Sequence, residues 1–251
     1  MRIAILADIH GNLRALEAVQ KDLRKHSPDL IVNLGDHLSG PLQAAATADA
    51  LMAEPYGNIR GNHDRQLLDR LPDEMGLSDR AAWSQLNEAQ KIWLQRMPAT
   101  CEPEPGILMC HGTPGDDLQY LLEDVRRDGV HLADAHTVRQ RLGSVEPKLV
   151  LCGHSHIPRV ISMNGGVHIV NPGSVGLPAY NDTRPWPHYM EVGSPHARYA
   201  LADRAATGWR TSFLAIEYDW LAASEDARRG GRPDWACALA TGYALRKGAS
   251  S

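Results

Sequence analysis

Short apolar runs that alternate with helical periodicity constrain this sequence more than any other feature. Residues 3–7 form such a run, and in residues 13–25 leucine and valine recur at the spacing of a helix. Residues 30–34 and 43–53 repeat the order of strand and helix. Because a βαβα order brings successive strands into parallel pairing, the sequence predicts an α/β fold.

The rest of the sequence predicts more strands and several helical stretches. Strands are expected at 107–110, 149–152 and 167–170, and antiparallel strands at 198–201 and 211–218. Helical spacing joins Trp83, Leu86, Ala89, Trp93 and Met97 in one predicted helix. Residues 116–127 and the tail 221–246 also favour helix, and the stretch 112–147 is either a lid or a surface connection. We expect one domain over 1–251, with a helical insertion at about 65–99 and a strand and helix extension from about 196.

Composition excludes several classes of protein. The 251 residues are 43% apolar and 22% charged, a globular balance without an apolar run of membrane-spanning length. A net charge of −4 disfavours general nucleic-acid binding. Since Asp8 interrupts any signal-peptide core and no cysteines have CxxC spacing, we expect a cytoplasmic protein with no membrane partner.

Metal-binding side chains follow five of the extended segments. They are Asp8, His10, Asp36, Asn62, His111, His154 and His156. In open α/β sheets, ligands bind beyond the carboxyl ends of the strands, so these residues lie where the fold would place a site. Residues i and i+2 of an extended chain face the same side, which lets Asp8 and His10 approach one metal together.

The residue types indicate the metal. Four imidazoles, two carboxylates and one amide suit manganese, iron or zinc better than calcium, and nickel or cobalt would also be accepted. Seven ligands exceed the need of one ion, whereas two divalent ions that share Asp36 would use them all. The charge left over on such a pair suits a hydroxide and a phosphate ester, whose attacking and leaving oxygens two metals can clamp.

Five motifs occur in a fixed order. They are D-x-H at 8–10, G-D at 35–36, G-N-H-D at 61–64, H-G at 111–112 and G-H-x-H at 153–156. Each motif is weak alone, but the ordered set is specific. The sequence resembles the calcineurin-like metallophosphoesterases, and especially their small bacterial and archaeal branch, which residues 8–13 and 171–176 also look like.

The resemblance implies a four-layer α/β/β/α sandwich, with two mixed sheets between helices and a two-metal site at one edge. It assigns Asp8, His10, Asp36 and His156 to one metal, and Asp36, Asn62, His111 and His154 to the other. A hydroxide between the metals would attack phosphorus, and His63 would donate a proton to the leaving alkoxide. Asp64 would orient His63 and keep it protonated.

Three further residues are candidate substrate contacts. Asn12 is expected to bind phosphate by family resemblance, with capping of the following helix as the alternative. Arg65 follows the G-N-H-D motif and is either a substrate contact or a solvated residue at the start of a helix. His37 follows the bridging aspartate and either lines the pocket or packs elsewhere.

The predicted function is therefore metal-dependent hydrolysis of a small phosphate monoester or diester, nucleotides included. A phosphoprotein phosphatase is an alternative, although no arginine follows Gly35 and Asp36 to hold phosphate. A scaffold on the same fold is a second alternative, but every ligand and His63 are present. The net charge disfavours a nuclease, and a homodimer is expected because small enzymes of this type are often dimers.

Overall fold

The computed structural model describes residues 1–246, and its framework is two mixed five-stranded sheets. From one edge to the other, the first sheet contains β14 (Gly208–Ile216), β13 (Ala197–Ala205), β1 (Arg2–Leu6), β2 (Leu30–Asn33) and β3 (Gly57–Asn58). β1, β2 and β3 are parallel, whereas β13 is antiparallel to both of its neighbours. The predicted βαβα start of the chain thus supplies the parallel half of this sheet.

The second sheet repeats this mixed pattern. It contains β4 (Thr100–Glu104), β5 (Ile107–Cys110), β8 (Leu149–Leu151), β10 (His168–Asn171) and β9 (Arg159–Ser162). The three central strands are parallel and both edge strands are antiparallel. Two hairpins complete the strands: β6 (Glu123–Arg126) with β7 (Gly129–Leu132), and β11 (Ala179–Asp182) with β12 (His188–Glu191).

Helices cover the outer faces of the two sheets. They are α1 (Leu13–Leu23), α2 (Ala44–Met52), α3 (Asn62–Asp69), α4 (Leu77–Trp83), α5 (Glu88–Gln95), α6 (Ala135–Leu142), α7 (Trp220–Arg229) and α8 (Pro233–Thr241). Leu16 of α1 packs on the first sheet and Val138 of α6 on the second. Between the sheets, side chains such as Ile5 and Leu151 form a core, and each fully buried one contributes about 1.5–3 kcal/mol. The four-layer sandwich is confirmed.

The single helix predicted across residues 83–97 is wrong, because α4 and α5 are separate. The Oδ1 atom of Asn87 accepts the Gln90 backbone N–H at 3.0 Å, and Oε1 of Gln90 accepts the Asn87 N–H at 3.0 Å. This reciprocal cap starts a new helix at Glu88. The apolar spacing continues across the break and conceals it in the sequence.

The helix predicted over residues 116–127 is also wrong, since a loop leads there into the β6–β7 hairpin. Oγ1 of Thr113 accepts the Asp116 N–H at 3.0 Å, and Oδ1 of Asp116 accepts the Leu118 N–H at 2.8 Å. Such bonds from side chain to backbone compete with helix formation. The helix of this region is α6, which begins after its cap, Asp134.

The C-terminal stretch is helical, as predicted, with a break at Gly230 and Gly231. The second helix ends at Gly242, which adopts φ 75° and caps it in the left-handed conformation. Residues 247–251 of the predicted single domain lie outside the described residues. Within residues 1–246, no helix combines the length and apolarity that crossing a membrane requires.

Candidate metal centre

Unusual backbone conformation is concentrated at the predicted ligands. The non-glycine residues with positive φ include Asp8 (55°), His10 (53°), Asp36 (55°), His154 (69°) and His156 (60°). Among residues 1–246, Ser27 is the only other member of this set. Left-handed backbone is unfavourable for L-residues and clusters where function requires it. The sharp turns after the strands therefore identify these loops as a functional site.

Neighbouring loops hold one another in place at this sheet edge. The Asp8 N–H donates to the Gly35 carbonyl at 3.0 Å, and the His10 N–H donates to the Asp36 carbonyl at 3.0 Å. The loop after β2 also approaches the loop after β3, because a Cβ added to Gly35 would lie 2.3 Å from the Gly61 nitrogen. Glycine at position 35 thus permits the contact between these two ligand loops.

Asp8, His10 and His156 form the first buried group. Each offers a ligand atom within 4.8 Å of the others. Nε2 of His156 lies 3.4 Å from Oδ1 of Asp8 and 3.2 Å from Nε2 of His10. Residues from β1 and from the loop after β8 therefore meet at one point, although 146 positions separate them in the chain.

Asp36, His111 and His154 form the second group, again with ligand atoms within 4.8 Å of one another. Nε2 of His111 lies 3.3 Å from Oδ2 of Asp36 and 3.0 Å from Oδ1 of Asn62. The same Oδ2 atom of Asp36 is 3.9 Å from Nε2 of His10 in the first group. Asp36 thus lies between the two groups, where a shared ligand would have to be.

Backbone carbonyls fix the orientation of all four histidines. The Nδ1 atoms of His10, His111 and His156 lie 2.8, 2.8 and 2.6 Å from the carbonyl oxygens of Ser39, Leu34 and Leu177, and Nε2 of His154 lies 3.1 Å from that of Leu118. A carbonyl only accepts, so each of these nitrogens carries the proton. The other ring nitrogen then presents a lone pair to the site, as in metal-binding histidines.

These lone pairs fit a cation. Nε2 of His10 and Nε2 of His156 face each other without a proton between them. Oδ1 of Asp8 is buried and has no hydrogen-bond partner among the described residues. Buried acceptors without donors are costly unless a positive charge satisfies them. The donor set of nitrogen and oxygen atoms supports binding of a divalent metal.

The pKa values of the histidines agree with this. Burial and the neighbouring His156 lower the pKa of His10 to about 4. Burial and His111 lower the pKa of His154 to about 4, so both rings are neutral near pH 7, the form that binds metal. Burial also disfavours charge on His111, but the carboxylates of Asp36 and Asp8 outweigh it and raise its pKa to about 10. The centre therefore attracts positive charge.

His63 lies beside this centre but does not contact Asp64, contrary to prediction. Its Nδ1 atom lies 2.7 Å from Oδ1 of Asp79, a residue of α4. Burial lowers the pKa of His63, but the charges of Asp36 and Asp79 and the hydrogen bond to Asp79 raise it to about 9. The imidazole thus carries a proton, and its side chain remains 33% exposed at the cavity.

Asp64 instead holds the loop that carries Asp36. Its carboxylate accepts the backbone N–H groups of Asp36 at 2.8 Å, His37 at 3.0 Å and Gly61 at 2.9 Å. Consecutive residues of a helix point in different directions, so residues 63 and 64 of α3 cannot face each other. The role predicted for Asp64 is corrected to support of the Asp36 loop.

Asn12 is buried and does not line the cavity. Its Oδ1 atom accepts the Ala15 N–H at 3.2 Å, and its Nδ2 donates to the Gly176 carbonyl at 2.9 Å. All of its polar atoms are engaged in capping α1 and in holding the loop before β11. The alternative role as a helix cap is therefore the one observed.

Arg65 and His37 also lie outside the cavity lining. Both nitrogens at the fork of Arg65 donate to the carboxylate of Asp117, at 2.7 and 2.8 Å. His37 is fully buried, and its Nδ1 lies 2.8 Å from Oδ2 of Asp64. Neither side chain is free to contact a substrate in this structure.

A cavity of about 1010 Å³ opens above the two groups. Its walls include residues that sequence reasoning missed, among them Asp79's neighbour Ser78, Tyr120, Tyr180 and Trp235. Tyr120 stacks on the His154 ring at 4.7 Å, and Tyr180 packs edge-on against His156 at 4.7 Å. These aromatic rings are typical core residues in sequence, and only the fold places them against ligands.

Asp79 itself had one detectable signal. It shares a helical face with Ala82 and Leu86 at positions i, i+3 and i+7, and all three residues are buried. An acid on an apolar helix face needs a buried partner. The sequence does not show which partner that is.

Comparisons with known proteins agree with this architecture. A family model described as the calcineurin-like phosphoesterase superfamily domain matches residues 1–190. An uncharacterized protein of Methanocaldococcus jannaschii is 23% identical over 257 residues, which cover 93% of this chain and 94% of that protein.

Two solved structures are similar over almost the whole chain. A metallophosphoesterase from Sphaerobacter thermophilus has a TM-score of 0.74 at 23% identity and covers 96% of this chain and 99% of its own. A hypothetical protein from Pyrococcus horikoshii has a TM-score of 0.73 at 19% identity, with 97% and 99% covered. The match of the family model over most of the sequence, together with this shared fold, shows that the chain belongs to the calcineurin-like phosphoesterase superfamily.

Proposed function

We propose that this protein hydrolyses a small phosphate monoester or diester with two divalent ions. The observation that carries the proposal is the position of Asp36 Oδ2 between two groups of buried acceptors, 3.3 Å from His111 and 3.9 Å from His10. Separate ions without a shared ligand would not require this arrangement. Manganese, iron or zinc is the proposed metal, since imidazole and carboxylate suit all three.

Each group of ligands would hold one ion. Asp8, His10, Asp36 and His156 would hold the first, and Asp36, Asn62, His111 and His154 the second. When bound, the two ions activate a water molecule and neutralise the charge of the phosphoryl oxygens. The protein contributes the fixed orientation of the ligands, which the carbonyl bonds to the histidines and the contacts of Asp64 maintain.

His63 is the proposed general acid. Its Nδ1–H remains bound to Asp79, which leaves Nε2–H to face the cavity. As the bond from phosphorus to the leaving oxygen breaks, that oxygen takes the Nε2 proton, and His63 becomes neutral. The oxygen of water remains on phosphorus, so the products are an alcohol and a phosphate or phosphate monoester.

The cavity supports a substrate larger than inorganic phosphate. Its volume of about 1010 Å³ leaves room for an organic group beside the ligands. Four arginines line it, and Arg141 and Arg232 are paired with Asp124 and Asp234. Within residues 1–246, Arg70 and Arg184 line the cavity without a carboxylate partner, which favours an anionic substrate such as a nucleotide.

Hydrolysis of p-nitrophenyl phosphate and bis(p-nitrophenyl) phosphate by the manganese-loaded protein tests the proposal. Turnover of either ester with two ions per chain is expected, and the preferred ester separates a phosphatase from a phosphodiesterase. A phosphopeptide assayed in parallel tests the alternative of a phosphoprotein phosphatase. Absence of both metal binding and turnover after reconstitution would contradict the proposal and favour a scaffold.

A further inference from the structure

We propose that Asp79, supplied by the inserted helix α4, positions His63 for proton donation. The inference rests on the proposed function, because it concerns the acid of that reaction. Asp79 is a positioning residue: it would act through His63 and not on the substrate.

The contact between the two side chains is direct and buried. Oδ1 of Asp79 lies 2.7 Å from Nδ1 of His63, and Asp79 is only 2% exposed. This bond fixes the rotation of the ring. It leaves Nε2, which has no hydrogen-bond partner among residues 1–246, as the nitrogen available to a substrate.

Ser39 holds Asp79 in turn. Its hydroxyl donates to the same Oδ1 atom at 2.6 Å, and its backbone carbonyl lies 2.8 Å from Nδ1 of His10. One residue therefore connects a proposed metal ligand with the carboxylate behind the acid. The distance between the acid and the metal centre is thus set by a chain of hydrogen bonds, as catalytic geometry requires.

Helix stabilisation alone does not explain Asp79. An acid in the first turn of α4 interacts favourably with the helix dipole, but it can do so from the surface, where charge costs little. Asp79 is buried instead, which is unfavourable for a carboxylate without a partner. The pairing with His63 compensates for that burial and gives the inserted helices a role in the reaction.

Asp79→Asn tests the inference, because it keeps the shape of the side chain and removes its charge. The kcat for phenyl phosphate, a poor leaving group, is expected to fall about 100-fold. The kcat for p-nitrophenyl phosphate should fall much less, and KM and metal content should not change. Asp73→Asn, an exposed acid of the same insertion, is the matched control and should behave as the wild type.

Two further variants separate positioning from stability. In a double-mutant cycle with His63→Ala, the Asp79→Asn change should have almost no additional effect, since its role passes through His63. Ser39→Ala leaves Asp79 in place without its second hydrogen bond. It should show the same dependence on leaving group with a smaller loss, even where Asp79→Asn lowers the yield of folded protein.

A proton NMR measurement gives a readout that does not depend on turnover. The Nδ1–H resonance of His63, identified by its absence in His63→Ala, should shift or disappear in metal-loaded Asp79→Asn. An unchanged resonance would overturn the inference whether or not any ester is hydrolysed. If the wild type hydrolyses esters and Asp79→Asn retains its full rate on phenyl phosphate, the inference is wrong while the proposed function stands.

Discussion

The ligand loops at the strand ends and the inserted helices α3–α5 form opposite sides of the same site. The ligand loops place polar side chains by sharp left-handed turns, as at Asp8 and Asp36, and each loop carries a short recognisable motif. The helices place His63 at the start of α3 and Asp79 on the buried face of α4. The loops therefore bind metal through local sequence, whereas the acid depends on packing between helices. The predictions below separate these two contributions.

Removal of divalent ions should have the largest effect, since it disables the loop side completely. Excess chelator is expected to abolish ester hydrolysis, and added manganese should restore it. The melting temperature should also fall, because ions at 100 times their Kd stabilise the native state by about 2.7 kcal/mol. Full activity in chelator would show that the loops do not act through metal.

His63→Ala should disable only the helix side. We expect kcat to fall about 100- to 10,000-fold, most for poor leaving groups, because the proton donor is lost. Metal content measured by mass spectrometry should be that of the wild type. Loss of metal in this variant would blur the division between loops and helices, and unchanged kcat would remove His63 as the acid.

Asp64→Ala should show that this acid belongs to the loop side although it lies in α3. Three buried backbone N–H groups lose their acceptor, so the free energy of unfolding should fall by about 3 kcal/mol. Metal occupancy should fall as well, because the loop of Asp36 is no longer held. Denaturant unfolding and metal analysis, with Asp73→Ala as the control, check this. Normal stability and metal content with a rate loss like that of His63→Ala would restore Asp64 as the partner of the acid.

Tyr180→Phe should have the smallest effect. Its hydroxyl donates to the His154 carbonyl at 3.0 Å and lies 2.8 Å from the Tyr120 hydroxyl. Loss of this support should weaken metal binding about 10-fold, with kcat unchanged at saturating metal. A metal titration compares it with Tyr189→Phe, an exposed tyrosine of β12 that should leave affinity unchanged. Equal affinities in all three proteins would show that the tyrosines do not support the ligands.

The sequence was sufficient for the sheets and the ligand loops, because both depend on local pattern. The apolar runs around Ile5 and Val32 appear as parallel strands, and residues such as His10 follow them at the expected edge. Motif spacing reflects the reach of one loop, so the side chains of His111 and His154 also come together. The family resemblance was confirmed on the same residues.

Other features depend on contacts between distant segments, which a single sequence does not show. Asp64 was assigned to His63 because the two are adjacent in the chain, but helix geometry turns them apart. Asn12 and Arg65 looked available for substrate until their partners, Gly176 and Asp117, came into view. In each case, a polar side chain near the motif was already used to hold the structure.

The metal content of Asp36→Ala tests the central claim most directly. The wild type should bind two divalent ions per chain, and Asp36→Ala should lose both together because their shared ligand is gone. Asp182→Ala, which removes a carboxylate of the cavity wall, should retain both and serves as the control. Two fully occupied ions in Asp36→Ala would contradict the account, since the two groups of ligands would then act independently.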